Sequence, residues 1–488
     1  MSETNTIETQ VPARIDRLPW SRWHTLVVSS LGVAWILDGI EVMIVANISS
    51  VLTNPASGLG ITNSQVGYAA AIYSAGAALG GLLFSYLTDR YGRRKLFFIT
   101  LSIYLLFTIL TAFSWGFFSF VLFRFFTGVG IGGEYPAIHS AIDEFVPARV
   151  RGQTSLTINS TYWVGAALAS VMTVVILTAS FVPTFYGWRL VFAVGGALSL
   201  LILLTRRFIP ESPRWLMTHG KADEAEEIAE DIEENVRRHK GDEELPQVDE
   251  DDKITVEQRE AIGFGPIFRA MFQMYPKRTI LGIVLMSCQT FMYNAIFFTY
   301  ALILATFFGV PEGTAGYYIF GLAVASLLGP ITLGRLFDRV GRRPMIAGCF
   351  ATSGVLIALI GYLYAQGVIT SPVTQTALFG VMFFFASAGS SASYLTGSEI
   401  FPMELRAMAL GVFYAIAMAV GGIAGPAIYG RIIDTGDPWM LFIGYLVAGV
   451  LLIVAALTEL LLGVNAEQQS LEDVAAPLSA IQQETGAA

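Results

Sequence analysis

Thr88–Lys95, TDRYGRRK, and Phe337–Pro344, FDRVGRRP, are two copies of one stretch. Each follows one apolar run and precedes another, and each gathers an acid and three arginines around a glycine, Gly92 or Gly341. A second pair of landmarks lies behind them: EFVPARVRG at Glu144–Gly152 returns as EIFPMELRA at Glu399–Ala407. In both, the acid stands three residues before Pro and seven before Arg. Asp89 and Asp338 are 249 residues apart, Glu144 and Glu399 255. Two independent landmarks at nearly one offset mark a duplicated half, longer than any solenoid repeat.

The chain between and around these copies is built for lipid. Hydrophobic residues are 54% of the 488 and charged residues 14%, where a soluble domain carries about a quarter charged. Apolar stretches of about 20 residues read as membrane helices, because hydrocarbon offers the backbone no hydrogen-bond partner. They fall at 24–48, 66–87, 96–115, 117–140, 155–178 and 188–208, then at 279–305, 314–336, 345–365, 375–397, 407–430 and 439–463. This predicts an all-α polytopic membrane protein of 12 transmembrane helices in two pseudo-symmetric six-helix bundles, residues 23–208 and 278–463. A tail (1–22), a linker (209–277) and a second tail (464–488) complete it. With the N-terminus in the cytoplasm, 26 of the 29 Lys and Arg fall in or beside cytoplasmic segments, and only Arg124, Arg189 and Arg431 do not. That bias predicts cytoplasmic N- and C-termini in a plasma-membrane protein. No short apolar region with a cleavage site precedes the first span, so no removed signal peptide is expected.

The net charge of −9 comes from soluble stretches. The linker holds 17 acids between His219 and Glu260, and within it Ala225, Ile228, Ala229, Ile232 and Val236 recur at helical spacing. They predict a short amphipathic helix on an acidic tether. The polar, acidic tail after Gly463 is expected to be disordered. The two cysteines, Cys288 and Cys349, lie inside apolar runs, which supports neither a disulfide framework nor a zinc site. Gly128, Gly130 and Gly133 match a dinucleotide fingerprint only formally. That motif needs a strand before it and a helix opening at it, whereas here it lies within a span, where small residues let helices approach. No phosphate-binding GxxxxGK[ST] occurs. No enzyme activity, cofactor, metal or nucleic-acid partner is expected.

DRYGRR and DRVGRR resemble the paired loop signature of the major facilitator superfamily, and RFFTGVG from Arg124 resembles its fourth-helix signature. PESPRWL at Pro210–Leu216 and Gly-Trp-Arg at Gly187–Arg189 are similar to its sugar-porter branch. The signature's leading Gly is kept at Gly334 but is Ser85 in the first copy, where looser packing is expected. Sugar porters carry paired Gln in helix 7 and Trp in helix 10; here those positions hold Cys288–Gln289 and Tyr394, and Asn159 replaces a helix-5 Gln. DGIEV at Asp38–Val42, GGEYP at Gly132–Pro136, YWVG at Tyr162–Gly165 and MYNAIFF at Met292–Phe298 resemble the nicotinate-transporter and synaptic-vesicle-glycoprotein-like proton symporters. The resemblance implies a proton-coupled symporter of a small polar metabolite, an organic or aromatic carboxylate such as a nicotinate-like acid, acting as a monomer. It places the coupling acid at Glu41 and its arginine at Arg124. It places substrate contacts at Asn159, Trp163, Gln289, Tyr293, Asn294 and Tyr394.

An ionised side chain at mid-bilayer costs about 2.5–3.5 kcal/mol on insertion scales, so Asp38, Glu41, Arg124 and Glu134 are functional candidates. Glu41 and Arg124 each lie about 10–14 Å from the outer end of their spans, the first and the fourth. The depths match, so they can pair if the two helices face each other. Either Glu41 exchanges the transported proton and releases Arg124 toward a substrate carboxylate, or the pair is a permanent tie. Asp38 is a second proton site or shifts Glu41 by like charge. Glu134 belongs to the substrate cavity or to an inner gate. Aromatic residues such as Trp163 pack or bind; the amides of Gln289 and Asn294 need partners, which favours binding. Asp89, Arg93, Glu144 and Arg151, mirrored by Asp338, Arg342, Glu399 and Arg406, are expected to form ion pairs that break when the cavity opens inward. Mere topology-setting charge would explain the arginines but not the duplicated acids. A proton-coupled sugar porter, a proton-coupled exporter and a non-transporting nutrient sensor are the competing readings. The roughly 25 residues after Gly463 lack the long signalling extension a sensor would use.

Overall fold

The computed structural model describes residues 6–200, 211–240, 245–248, 253–257, 264–402, 405–466, 469 and 474–475. The side chains of Asp89, Arg93 and Glu144 lie outside the described set. Twelve apolar helical segments build the molecule. The first half is α1 (Arg22–Thr53), α2 (Asn63–Tyr91), α3 (Arg93–Thr111), α4 (Phe117–Phe145), α5 (Ala148–Thr178) and α6 (Thr184–Ser199). The second half comprises α7 in two pieces (α7a, Pro276–Phe297; α7b, Tyr300–Phe308), α8 (Gly316–Arg339), α9 (Arg342–Ala365) and α10 (Pro372–Glu399). It ends with α11, also in two pieces (α11a, Arg406–Ala417; α11b, Ile423–Thr435), and α12 (Pro438–Leu462). Among the described residues ten spans are long and apolar enough to cross a bilayer by themselves, and the described parts of α3 and α6 are shorter.

Glycines set the packing within each half. Gly76 and Gly80 of α2 sit on the Phe125 and Val129 carbonyls of α4, while Gly128 and Gly132 of α4 sit on the Tyr73 and Ala77 carbonyls of α2. No Cβ fits at any of the four, so the two backbones touch. Gly130 faces Tyr104 of α3 and Gly133 faces Phe84 of α2, which accounts for the glycine pattern as helix contact. Gly39 and Gly165 make the same contact between α1 and α5. Across the halves, α2 packs on α11 and α5 on α8. These two seams exchange under the duplication, as the second and fifth helices of each half should. Ser85 does not loosen its seam: it is buried against Gly411 of α11a, which supplies the space the serine takes up. Gly92 and Gly341 start α3 and α9 at φ of 86° and 108°, backbone that L side chains rarely adopt.

Two expected continuous spans are broken. The seventh stops at Phe297 and restarts at Tyr300, where Thr299 turns its hydroxyl back onto the Ala295 carbonyl at 2.5 Å. The eleventh carries a π-helical segment, Met418–Gly422. Its Gly421 lies against Ser287 and Phe291 of α7a. Wider turns of this kind recur at functional sites.

The segments outside the spans are more ordered than a tether and tails. Thr6–Thr9 pairs antiparallel with Ile254–Glu257. A short helix, Val11–Asp16, buries Val11 and Ile15 against Leu216, Met217, Ala225 and Ala229. The linker helix Ala222–Lys240 turns its predicted apolar stripe inward. Arg14 holds Glu233 at 3.0 Å and pairs with Glu226, and Arg17 reaches Glu233 at 2.7 Å. Burial pushes the Glu233 carboxyl up, but the hydrogen bonds and charges of Arg14 and Arg17 outweigh it and hold it below its ordinary range. Of the final tail, Val474 accepts a hydrogen bond from Arg278 at 3.0 Å; most of that tail lies outside the described residues. The amino-terminal segment, linker and C-terminal stretch therefore share one end of the bundle, here the linker end.

Candidate substrate cavity

A cavity of about 140 Å³ lies between the halves, midway along the helices. Trp35, Val42 and Met43 of α1, Tyr73 of α2, Tyr135 of α4, and Asn159, Tyr162 and Trp163 of α5 line one side. Gln289, Thr290, Tyr293, Asn294, Phe297 and Phe298 of α7, Ser387, Ser390, Ser391 and Tyr394 of α10, Tyr414 of α11a and Met418 line the other. Six residues named from the sequence thus meet in one place: Asn159, Trp163, Gln289, Tyr293, Asn294 and Tyr394. Among the described residues the lining carries no charge.

Its walls are rings with a few directional groups. Tyr135 stacks on Tyr414 at 5.1 Å and meets Trp35 edge-on at 4.5 Å. Across the cavity Trp163 lies 5.6 Å from Tyr293 and 5.0 Å from Phe297. Gln289 accepts a hydrogen bond from Ser390, which leaves its amide beside Tyr394. Asn294 spends a donor on the Thr290 carbonyl of its own helix at 2.9 Å. Asn159 Nδ2 is buried with no hydrogen-bond partner among the described residues. A buried donor left so costs about 1–3 kcal/mol, and a ligand acceptor would recover it.

The membrane-embedded charges sit behind this lining. Glu41 and Arg124 are fully buried and paired, Arg124 Nη1 donating to Glu41 Oε1 at 2.6 Å. Thr108 of α3 donates to the same oxygen at 2.8 Å. The guanidinium lies 4.7 Å from the Tyr73 ring centre and 5.6 Å from that of Phe192. The pairing expected from helix depth is present, but neither charge lines the cavity. Tyr73 lines the cavity and its ring lies against the Arg124 guanidinium, while Arg124 itself is not part of the wall that a substrate carboxylate would touch in this arrangement. Asp38 is fully buried, close enough for its charge to reach the phenols of Tyr162, Tyr414 and Tyr73. Glu134 is also fully buried and outside the lining; its neighbour Tyr135 holds the cavity position instead.

Both ends of the cavity are bridged between the halves. At the linker end Arg342 pairs with Glu399, and Arg151 reaches Glu399 across the seam at 3.9 Å. Asp338 accepts the Gln153 N–H at 3.1 Å and fills the space beside Gly152, so a residue from one duplicated landmark meets the end of the other. Arg406 is buried there. Arg151 also holds Asp16 of the amino-terminal segment at 3.1 Å. The expected partners Asp89, Arg93 and Glu144 lie outside the described side chains. At the far end Asn54 donates to Glu312 at 2.7 Å, the Ser64 N–H to Asp434 at 3.1 Å, and Arg431 to Tyr68 at 2.7 Å. Arg189 caps the Ser57, Ser114 and Phe185 carbonyls. Two of the three arginines that depart from the charge bias therefore tie this end together.

Sequence reasoning missed Trp35, Tyr73, Tyr135, Tyr162 and Tyr414. Tyr135 and Tyr162 stood inside stretches already singled out, but an aromatic residue in an apolar span reads first as packing. The serine run before Tyr394, Ser387 to Ser393, was the unused signal.

A family model described as "Sugar (and other) transporter" matches residues 28–472. The niacin transporter NiaP of Acinetobacter baylyi is 28% identical over 95% of this chain and 99% of its own length. The 4-hydroxybenzoate transporter PcaK of the same species is 25% identical over 81% of this chain and 82% of its own. Among solved structures, the proton:xylose symporter XylE bound to 6-bromo-6-deoxy-D-glucose superposes with a TM-score of 0.73 at 18% identity, over 93% of this chain and 98% of that one.

Proposed function

Because this chain belongs to the sugar (and other) transporter family, as a multi-pass membrane transporter and not an enzyme, we propose that it carries a small aromatic carboxylate in symport with a proton. The observation that carries this reading is the ring-walled cavity of about 140 Å³. An engineered apolar cavity of about 150 Å³ takes one benzene ring, so the space suits a single aromatic ring. Tyr135–Tyr414 and Trp163–Tyr293 offer flat faces for it, and Asn159 Nδ2 offers a donor for a carboxylate. Two relatives are named as transporters of niacin and of 4-hydroxybenzoate, and both compounds are single-ring acids.

Glu41 is the proton carrier in this reading. Ionised, it cancels Arg124; protonated, it leaves a net positive charge behind Tyr73, and an anion in the cavity is favoured. Proton and substrate therefore strengthen each other's binding. The ion pairs of Arg151, Arg342 and Glu399, with Asp338, form the gate at the linker end. The charge bias supports a cytoplasmic position for that end, in a plasma-membrane protein. The cavity is complete within one chain, which supports a monomer. A sugar-porter reading is favoured by the amides of Gln289 and Asn294 in the lining.

Uptake by proteoliposomes under an inward proton gradient separates the two. Nicotinate or 4-hydroxybenzoate accumulating, with xylose ignored, is the expected result; xylose accumulating with the ring acids ignored would replace this reading by the sugar one. Comparing right-side-out with inverted vesicles separates import from export.

A further inference from the structure

The contact between Tyr73 and Arg124 deserves a role of its own beyond membrane packing. Tyr73 lines the cavity, and its ring centre lies 4.7 Å from the Arg124 guanidinium. Arg124 commits Nη1 to Glu41, while Nη2 is buried with no hydrogen-bond partner among the described residues. One donor of a buried arginine is thus unspent, and an aromatic ring on the cavity wall lies against its guanidinium. The backbone that carries the ring is fixed: the Tyr73 carbonyl touches Gly128 of α4, one turn from Arg124, and no Cβ fits between them. The Tyr73 main chain cannot drift from that of Arg124 without parting α2 from α4.

We propose that Tyr73 is a positioning residue that screens Arg124 from the substrate, so that a carboxylate in the cavity senses the arginine only after Glu41 has taken up a proton. The inference rests on the proton-symport reading. A carboxylate touching the guanidinium directly would form a charge-assisted, bidentate contact, roughly twice as strong as a neutral hydrogen bond. It would compete with Glu41 for Arg124 at any pH and hold the substrate whether or not the proton had arrived. With the ring in place, the anion is kept about one ring thickness away. There the ionised Glu41–Arg124 pair presents no net charge, and only protonation uncovers the cation. The screen makes the order of events matter, and it turns a buried ion pair into a coupling device.

The ionisable groups around the Tyr73 ring are Asp38 and Glu41 from α1, Arg124 and Tyr135 from α4, Tyr162 from α5 and Tyr414 from α11a. A tyrosine stays neutral across the working pH range, so the pH response has to come from the carboxylates. Asp38 lies beside the same ring and stays in place in every variant below, so differences among them report the screen.

The test is the binding of benzoate to the purified full chain by calorimetry, at pH values where benzoate stays ionised, for wild type, Tyr73→Phe, Tyr73→Leu and Tyr73→Met. Wild type is expected to bind about 30-fold more weakly at the alkaline end than at the acid end, from the charge uncovered behind the ring. Tyr73→Phe keeps the screen and should keep that pH profile. Tyr73→Leu opens a path to Arg124 Nη2; binding should stay tight at alkaline pH, with the dependence compressed below about threefold. In proteoliposomes the same variant should exchange benzoate but no longer accumulate it against its gradient. Tyr73→Met keeps the apolar volume without the ring, so it gives the same answer if the leucine variant does not fold. A wild-type pH profile and uphill accumulation in either ring-less variant would overturn the screen and leave the symport reading standing. Absence of benzoate and nicotinate binding by wild type at every pH would overturn both.

Discussion

Replacing Glu41 by Gln removes the ionisable partner of Arg124 and keeps its shape. In the wild-type arrangement the carboxylate sits 2.6 Å from the guanidinium and cancels it; in Glu41→Gln the cation is permanent. Its effect on a bound anion follows from the geometry. The guanidinium lies 4.7 Å from the Tyr73 ring centre, and an atom in van der Waals contact with the ring's other side stands about 3.5–4 Å beyond. At a separation of roughly 8 Å and an effective dielectric of about 20, the attraction is about 2 kcal/mol, or about 30-fold in affinity. At alkaline pH, Glu41→Gln is therefore expected to bind a ring carboxylate about 30-fold more tightly than wild type, and at acid pH equally well. The assay is calorimetric titration with nicotinate at both pH values. Breaking a buried pair can cost about 3–5 kcal/mol of stability, so thermal unfolding of the variant is followed alongside; Arg124 keeps its contacts with Tyr73 and Phe192. A Glu41→Gln protein with the wild-type pH dependence intact would refute this assignment of the proton.

Three further outcomes follow from other parts of the molecule. Trp163→Ala removes a ring packed within 5.6 Å of Tyr293 and 5.0 Å of Phe297; at about 0.5–1.5 kcal/mol per aromatic contact, calorimetry should read about a 2- to 12-fold loss of ring-acid affinity. Glu399→Gln leaves Arg342 and Arg151 without their shared acid, so a cysteine placed at Ser390 should become more reactive to a thiol reagent applied from the linker end; unchanged reactivity would speak against a gate there. Glu233 is held below its ordinary value of 4.5 by Arg14 and Arg17, so its contribution to docking the amino-terminal segment is complete above that value and is lost as pH falls through the lowered one. Hydrogen-exchange protection at Thr6–Thr9, with the intrinsic pH dependence of amide exchange divided out, should accordingly fall only on acidification below about 4.5, and a change in protection between pH 6 and 8 would contradict the assignment.

The architecture was legible because lipid leaves the chain few options. The duplicated DRYGRR and DRVGRR loops and the span count follow from backbone satisfaction and charge placement; helix rise put Glu41 and Arg124 at one depth, but not on facing sides of their helices. The amides of the cavity were legible only through resemblance, since spacing alone does not say which face of α5 or α7 looks inward. Tyr73 and Tyr135 were hidden because an aromatic residue suits lipid, packing and binding equally. The break at Phe298–Thr299 has no proline or glycine to announce it. The strand Thr6–Thr9 is too short to read by alternation, and its partner lies some 250 residues away. Glu134 and Asp38 were singled out as buried charges correctly, yet burial by itself did not separate the cavity wall from the layer behind it.

Proton movement caused by substrate is the most direct test of the account. In weakly buffered proteoliposomes with no imposed gradient, adding nicotinate or 4-hydroxybenzoate outside should draw protons inward with the acid, so an external electrode should record alkalinisation with wild type and none with Glu41→Gln. Uptake of the acid by wild type with no accompanying pH change, or the same pH change from Glu41→Gln, would contradict proton symport through Glu41.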